Sequence, residues 1–301
     1  MALRILWASP LPPVRSGVSD YAVEMLRPLS RMADVRILTP PDSEGVPDLP
    51  RDLVHHLVPL ETAPDPDEVA VVHFGNNPYH RWILEWCRGR RMVAVVHDLV
   101  LHHLLVNQSL DDGSNPEAFR AAMQTAHGDS GVALAEARAF GLTGHLDPFL
   151  FPALKALLGD SEALISHSEF GRTRLKQDFP GRPVLQMGLP VADPGHQDRS
   201  KIREMLGISD GEILMMHLGF LTPEKGLGAI LGGLAAARSG GVNARLVLVG
   251  EEAGGGEVRA AAESLGVGGN STLQCLRRCL RLIRPATGAE EREQSEQCDC
   301  T

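Results

Sequence analysis

The residues best equipped for chemistry in this chain sit where short aliphatic runs end. The stretch Pro10-Leu-Pro-Pro-Val-Arg-Ser-Gly17-Val18 follows the apolar run 3–8 and precedes Val18, Ala22, Met25, Leu26, Leu29 and Met32 at helical spacing. A loop between a strand and a helix start turns backbone N–H groups toward an anion, and a glycine such as Gly17 lets the backbone approach a phosphate closely. The loop is not G-x-G-x-x-G, so the dinucleotide fingerprint is absent, and a turn into a helix accounts for Ser16 and Gly17 equally well. Two later strand ends are unusually polar: His73-Phe-Gly-Asn76-Asn77-Pro-Tyr-His80, and His97-Asp98 directly after 93–96. Asn76, Asn77, Asp98 and a neutral His97 supply the donors and acceptors that sugar hydroxyls require, although each taken singly is also an ordinary loop cap. The run His97-Asp98-Leu-Val-Leu-His102-His103 invites a metal, since Asp98 and His102 lie four apart on a helical face. Adjacent His102 and His103 cannot share that face, and catalytic zinc needs three convergent ligands, so no metal is expected.

A similar arrangement recurs further along, where Leu218-Gly-Phe-Leu-Thr-Pro-Glu-Lys225-Gly226 follows a strand and opens a helix. Lys225 there supplies a flexible cation for a diphosphate, and the helix N-terminus adds partial positive charge where negative charge develops. Gly250 and Glu251 occupy the matching position after the next strand.

The elements that must position these residues read as alternating strands and helices, the signature of parallel βαβ units and an α/β class. Strands are expected at 3–8, 35–39, 69–74, 92–96, 163–167 and 182–189, with Pro28 inside the first helix as a candidate kink. Residues 107–158 are mainly helical, with a start at Asn115-Pro116 and a break at 141–148, and read as an insertion. Residues 190–197 form a Pro- and Gly-bearing linker. The expected organisation is therefore a first domain 1–190, a partial second domain 191–267, and a tail 268–301 without any strand-like run. Only two strands of the second sheet are visible, at 213–218 and 245–249, where a complete Rossmann domain needs about six.

With 301 residues the chain has room for two domains, and 43% hydrophobic against 22% charged residues is the balance of a globular protein. A net charge of −9 argues against general attraction to nucleic acid. No run of about 18 apolar residues and no signal-like N-terminus is present, so a cytoplasmic location is expected, with peripheral membrane contact through a local basic patch still compatible. Cys87 stands alone, while Cys275, Cys279, Cys298 and Cys300 crowd the end, unlike a disulfide framework spread through a fold.

Taken as an ordered set, SPLPPVRSGVSDYA, GNNPYH, VVHDLVLHH, ISHSEF, LPV and LGFLTPEKG followed by LVLVGEE resemble the family 4 glycosyltransferases, over residues 3–266. The resemblance implies the GT-B fold, two Rossmann-like domains facing a cleft, the second here truncated. It implies retaining transfer of a hexose from a nucleoside-diphosphate sugar, the donor substrate rather than a cofactor, to a hydroxyl of a glycan, lipid-linked or small-molecule acceptor. By that likeness Gly17, with Val18, approaches the donor diphosphate, His97 lies near the transferred hexose, and Lys225 neutralises the diphosphate. Gly250 and Glu251 belong to the same donor side, and Asn76, Asn77 and Asp98 to the substrate. Phe220 stands where many relatives carry arginine, and no E-x7-E donor motif follows 268. The cysteine-bearing end resembles a shifted reading frame, so impaired turnover is expected. A catalytically silent glycan- or acceptor-binding protein is the alternative, and a nicotinamide oxidoreductase is disfavoured by the missing glycine fingerprint.

Overall fold

A computed structural model describes residues 3–41, 49–111, 115–191, 193, 195, 196, 198–222, 225–250, 252, 256–268 and the backbone of 271–274. The chain forms two compact units, Met1–Asp193 and Pro194–Thr301.

In the first unit the order is β1 (Arg4–Ala8), α1 (Gly17–Leu29), β2 (Asp34–Leu38), α2 (Arg51–Val54), β3 (Leu57–Val58), β4 (Glu68–Phe74), α3 (Arg81–Trp86), β5 (Met92–Val96), α4 (His102–Val106), α5 (Pro116–Ala139), α6 (Asp147–Leu150), α7 (Leu154–Leu157), β6 (Ser161–Ser166), α8 (Glu169–Asp178) and β7 (Val184–Gln186). Among the described residues its seven strands run parallel in the order β3-β2-β1-β4-β5-β6-β7. Strand β1 shows why the sequence chooses this arrangement. Ile5 and Trp7 pack with Ala22 and Leu26 of α1 and Leu53 of α2. Leu6 and Ala8 point the other way, into a cluster with Trp82, Ile83 and Trp86 of α3 and Leu175 of α8. Side chains alternate across a strand, so a run apolar at every position needs helices on both faces. Each fully buried leucine here contributes about 1.5–3 kcal/mol. Pro28 lies in the last turn of α1, and the helix continues past it to Leu29.

The segment between β5 and β6 is helical. Asn115 caps α5 by accepting the Ala118 N–H at 3.0 Å, and Gly128, at φ 60° and ψ −142°, breaks that helix into two. Phe119, Met123 and Ala135 of α5 pack with Leu105 and Val106 of α4 in a small core of their own. The amino ends of the strands are joined by ion pairs: Arg4 to Asp65 and Asp67, each at 2.7 Å, and Arg36 to Glu68.

The second unit contains α9 (Arg199–Met205), β8 (Ile213–Leu218), α10 (Leu227–Ser239), β9 (Ala244–Val249), α11 (Glu257–Ser264) and β10 (Ser271–Gln274). Leu227, Leu231 and Leu234, spaced along one face of α10, pack on Ala244, Leu246 and Leu248 of β9. Among the described residues its sheet has three parallel strands, β10-β9-β8, and this corrects the expectation of two strands and of a strandless stretch after 268. The four residues Ser-Thr-Leu-Gln are too short and too polar to register as an apolar run; pairing with the apolar stretch Leu246–Val249 of β9 makes them a strand. Cys275, Cys279, Cys298 and Cys300 lie outside the described residues.

Candidate functional site

In the first unit, β1 continues through α1 to β2 on one side, whereas β4, β5 and β6 extend the sheet on the other. The loops after β1 and β4 therefore flank the point where strand order reverses, the place at which an open parallel sheet receives a ligand at the carboxyl ends of its strands. A cavity lined by Asp65, Glu68, Arg90, Arg91 and Glu162 lies instead at the amino ends, beside the ion pairs described above.

The loop after β1 ends at Ser16, whose extended backbone and side-chain oxygen cap α1 by accepting the Ser19 N–H at 3.1 Å. The Gly17 and Val18 amides precede the first turn's hydrogen bonds and have no acceptor among the described residues. A Cβ on Gly17 would meet nothing within 4 Å, so packing does not demand glycine there.

One turn into α1, Tyr21 meets a group of imidazoles that sequence reading did not assemble. Its ring lies edge-on to His97 at 4.8 Å, 5.5 Å from His73 and 5.2 Å from His167. His97 follows β5, and its backbone N–H donates to the Phe74 carbonyl at 2.9 Å, extending the ladder by one rung. His73, near the end of β4, is wholly buried beneath it, with Nδ1 3.0 Å from His97 Nε2 and its ring 4.1 Å from Trp7. His167, after β6, donates from Nδ1 to the Met187 carbonyl at 2.9 Å and lies 4.8 Å from the His97 ring. Burial, with mutual repulsion, holds His97 and His73 neutral: His97 is pushed down to about 3 and His73 well below the usual histidine range. Burial pushes the Tyr21 phenol up to about 12. The sequence signals for Tyr21 and His167 were their positions, one helical turn after a strand-end loop and at a strand end, within the segments SPLPPVRSGVSDYA and ISHSEF.

The polar loops after β4 and β5 are joined to each other. Asp98 Oδ2 accepts the Asn76 N–H at 2.8 Å, and Asn76 Oδ1 accepts the Leu104 N–H at 3.1 Å. Asn77 Oδ1 accepts the Tyr79 N–H at 3.1 Å and His80 Nδ1–H at 2.9 Å. Those oxygens shape the loop, while the Asn76 and Asn77 amide nitrogens and Asp98 Oδ1 have no partner among the described residues. His80 is buried and held down to about 4 by desolvation. The helical face suggested for Asp98 and His102 does not form, because α4 starts at His102, whose Nδ1 donates to the Phe151 carbonyl at 2.8 Å. Among the described residues no three His, Cys, Asp or Glu side chains converge as metal ligands.

In the second unit, Gly226 takes a left-handed conformation, φ 68°, at the start of α10, and the exposed Lys225 precedes it with its N–H donating to the Thr222 carbonyl at 3.0 Å. Its ammonium has no ion-pair partner among the described residues. Gly250 follows β9, where a Cβ would come within 1.8 Å of the Gly219 carbonyl oxygen. Glu251 lies outside the described residues. Phe220, at the position noted above, is 49% exposed.

The structure thus brings Gly17, Val18, Asn76, Asn77, His97 and Asp98 to one sheet edge of the first unit, and Lys225 and Gly250 to the carboxyl ends of β8 and β9 in the second. No protein-family model matches the chain, and no curated protein matches it. Among solved structures it is similar to WaaG, a glycosyltransferase involved in lipopolysaccharide biosynthesis, at 15% identity over 92% of this chain and 71% of that one, with a TM-score of 0.44. It is similar to an α,α-trehalose-phosphate synthase (UDP-forming) from Burkholderia vietnamiensis at 11% identity over 92% and 73% of the two chains, TM-score 0.47. A third is the apo form of the lipopolysaccharide outer core galactosyltransferase WaaB, at 10% identity over 93% and 70%, TM-score 0.41. Likenesses this distant leave the chemistry to the residues themselves. No helix among the described residues is long and apolar enough to cross a membrane.

Proposed function

We propose that the chain is a GT-B glycosyltransferase of the family 4 kind, moving a hexose with retention from a nucleoside-diphosphate sugar to a hydroxyl acceptor. What carries the reading is that the acceptor-free amides of Gly17 and Val18, after β1, and a neutral His97, after β5, stand on the same carboxyl edge of one parallel sheet. An anionic diphosphate suits a helix N-terminus, and an uncharged imidazole suits a sugar hydroxyl. The ordered motifs of the sequence supply the rest of the support.

In this reading Gly17 and Val18 hold the diphosphate by their backbone N–H groups, and His97 hydrogen-bonds the hexose and orients it. In the second unit, taken by itself, Lys225 and the amino end of α10 suit a phosphate anion, since a preorganised cation acts where negative charge grows. The amides of Asn76 and Asn77 and the free oxygen of Asp98 bind the acceptor side, and Gly250 and Glu251 the donor side. The chain works in the cytoplasm, on a glycan, lipid-linked or small-molecule acceptor.

Calorimetric titration of the full chain with UDP, GDP and ADP, and then with their hexose conjugates, tests this. One nucleoside diphosphate is expected to bind, and Lys225→Ala to weaken it tenfold or more, the worth of a charge-assisted contact of about 1.5–3 kcal/mol. If none of the nucleotides binds, glycosyl transfer is wrong; if a glycan alone binds, the chain is the silent acceptor-binding protein instead.

A further inference from the structure

His97 and His73 share one hydrogen bond, and the surroundings decide which ring owns its proton. Both rings are neutral, so of the two facing nitrogens, His73 Nδ1 and His97 Nε2 at 3.0 Å, one carries hydrogen and the other a lone pair. The remaining nitrogen of each ring follows from that choice. His73 Nε2 is buried and has no partner among the described residues. If His73 accepted from His97, its own N–H would sit at Nε2 with nothing to receive it. Orphaned buried N–H groups are the rarer fault in folded proteins, because a donor taken from water with nothing to receive it forfeits its hydrogen bond. If His73 donates, its Nε2 is only a bare lone pair. His167 nearby gives its Nδ1–H to the Met187 carbonyl, and its Nε2 is buried without a partner among the described residues.

We propose that His73 is a positioning residue that donates from Nδ1 to His97 Nε2 and thereby locks His97 as the Nδ1–H tautomer, a fixed hydrogen-bond donor toward ligand. His97 Nδ1 has no partner among the described residues and, unlike the heteroatoms around it, does not belong to the buried unpartnered set. The ring cannot turn away easily, being bounded by Tyr21 at 4.8 Å, His167 at 4.8 Å and His73. Such a donor binds a ligand oxygen that accepts; its use on a hexose hydroxyl rests on the glycosyl-transfer reading.

Long-range proton–nitrogen correlation spectra of the full chain with labelled histidine read the tautomer directly, with His97 assigned by the signal lost in His97→Asn. The wild-type protein is expected to show His97 protonated at Nδ1. His73→Asn, whose amide places an N–H where the imidazole had one, is expected to keep that tautomer. His73→Phe is expected to give a mixture and to weaken a sugar nucleotide about tenfold relative to the corresponding nucleoside diphosphate. A wild-type His97 protonated at Nε2, or a tautomer that His73→Phe leaves pure, overturns the inference, and the wild-type spectrum decides even where the phenylalanine variant does not fold. The expected tautomer in a chain that binds no nucleotide overturns the glycosyl-transfer reading alone.

Discussion

Lowering the pH from 7 to 5 is expected to strip about 6 kcal/mol from the stability of the first unit. His73, His80 and His97 are all held neutral in the fold, His80 to about 4 and His97 to about 3, with His73 lower than the ordinary range. A depressed native pKa means that the unfolded chain takes up protons first, near 6.5. Stability from these rings is therefore complete above the unfolded pKa and falls as the pH drops toward the native values, by roughly 1.4 kcal/mol per pH unit for each ring. Glu169 and Glu212, whose carboxyls are lowered by Arg172 and by the Ser209 N–H respectively, lose their share only below about 4.5, so the window from 7 to 5 belongs to the histidines. All three tryptophans, Trp7, Trp82 and Trp86, lie in the first unit, so their fluorescence in urea follows it selectively. A urea midpoint that does not move between pH 7 and pH 5 would mean that these rings are charged or solvated in the native protein. His80→Gln, which removes one of them, is expected to shallow the slope.

Gly250→Ala is expected to destabilise the second unit by about 3 kcal/mol while leaving the tryptophan transition of the first unchanged. The added methyl would lie 1.8 Å from the Gly219 carbonyl oxygen and 2.8 Å from its carbon, and the obstacle is backbone, which cannot rotate aside. The Gly219 N–H donates to the Val249 carbonyl at 2.9 Å, so the ends of β8 and β9 are drawn together at this point. Far-UV circular dichroism and limited proteolysis within 194–301 read the loss. Gly250 was singled out from the sequence as a donor-side residue, and this experiment separates the two reasons for a glycine. A variant whose second unit is as stable as wild type, but which no longer binds nucleotide, would show that the ligand rather than the Gly219 carbonyl requires it.

Much of the site was legible because parallel sheets are repetitive. Gly17, Asn76 and His97 each follow an apolar run, and in such a sheet every strand-to-helix loop opens on the same edge. Ser16 as a helix cap and Asn115 as the start of a long helix were equally readable, since both act through atoms three residues away. The position of Lys225 also needed only local order, a strand end followed by a helix start. Strand β10 was missed for the opposite reason: its four residues are strand only because β9 is beside them.

From the sequence alone came the alternation of strands and helices, and with it the α/β class and the edge on which polar loops gather; these follow from side-chain periodicity, which is a property of neighbouring residues. Only the tertiary structure decided which polar atoms are committed and to whom. Asp98 holds the Asn76 N–H, His73 meets His97 across 24 residues, and Tyr21 and His167 close around the same ring. Those pairings depend on the strand order β1-β4-β5-β6, and no pattern within a few residues records which strands become neighbours.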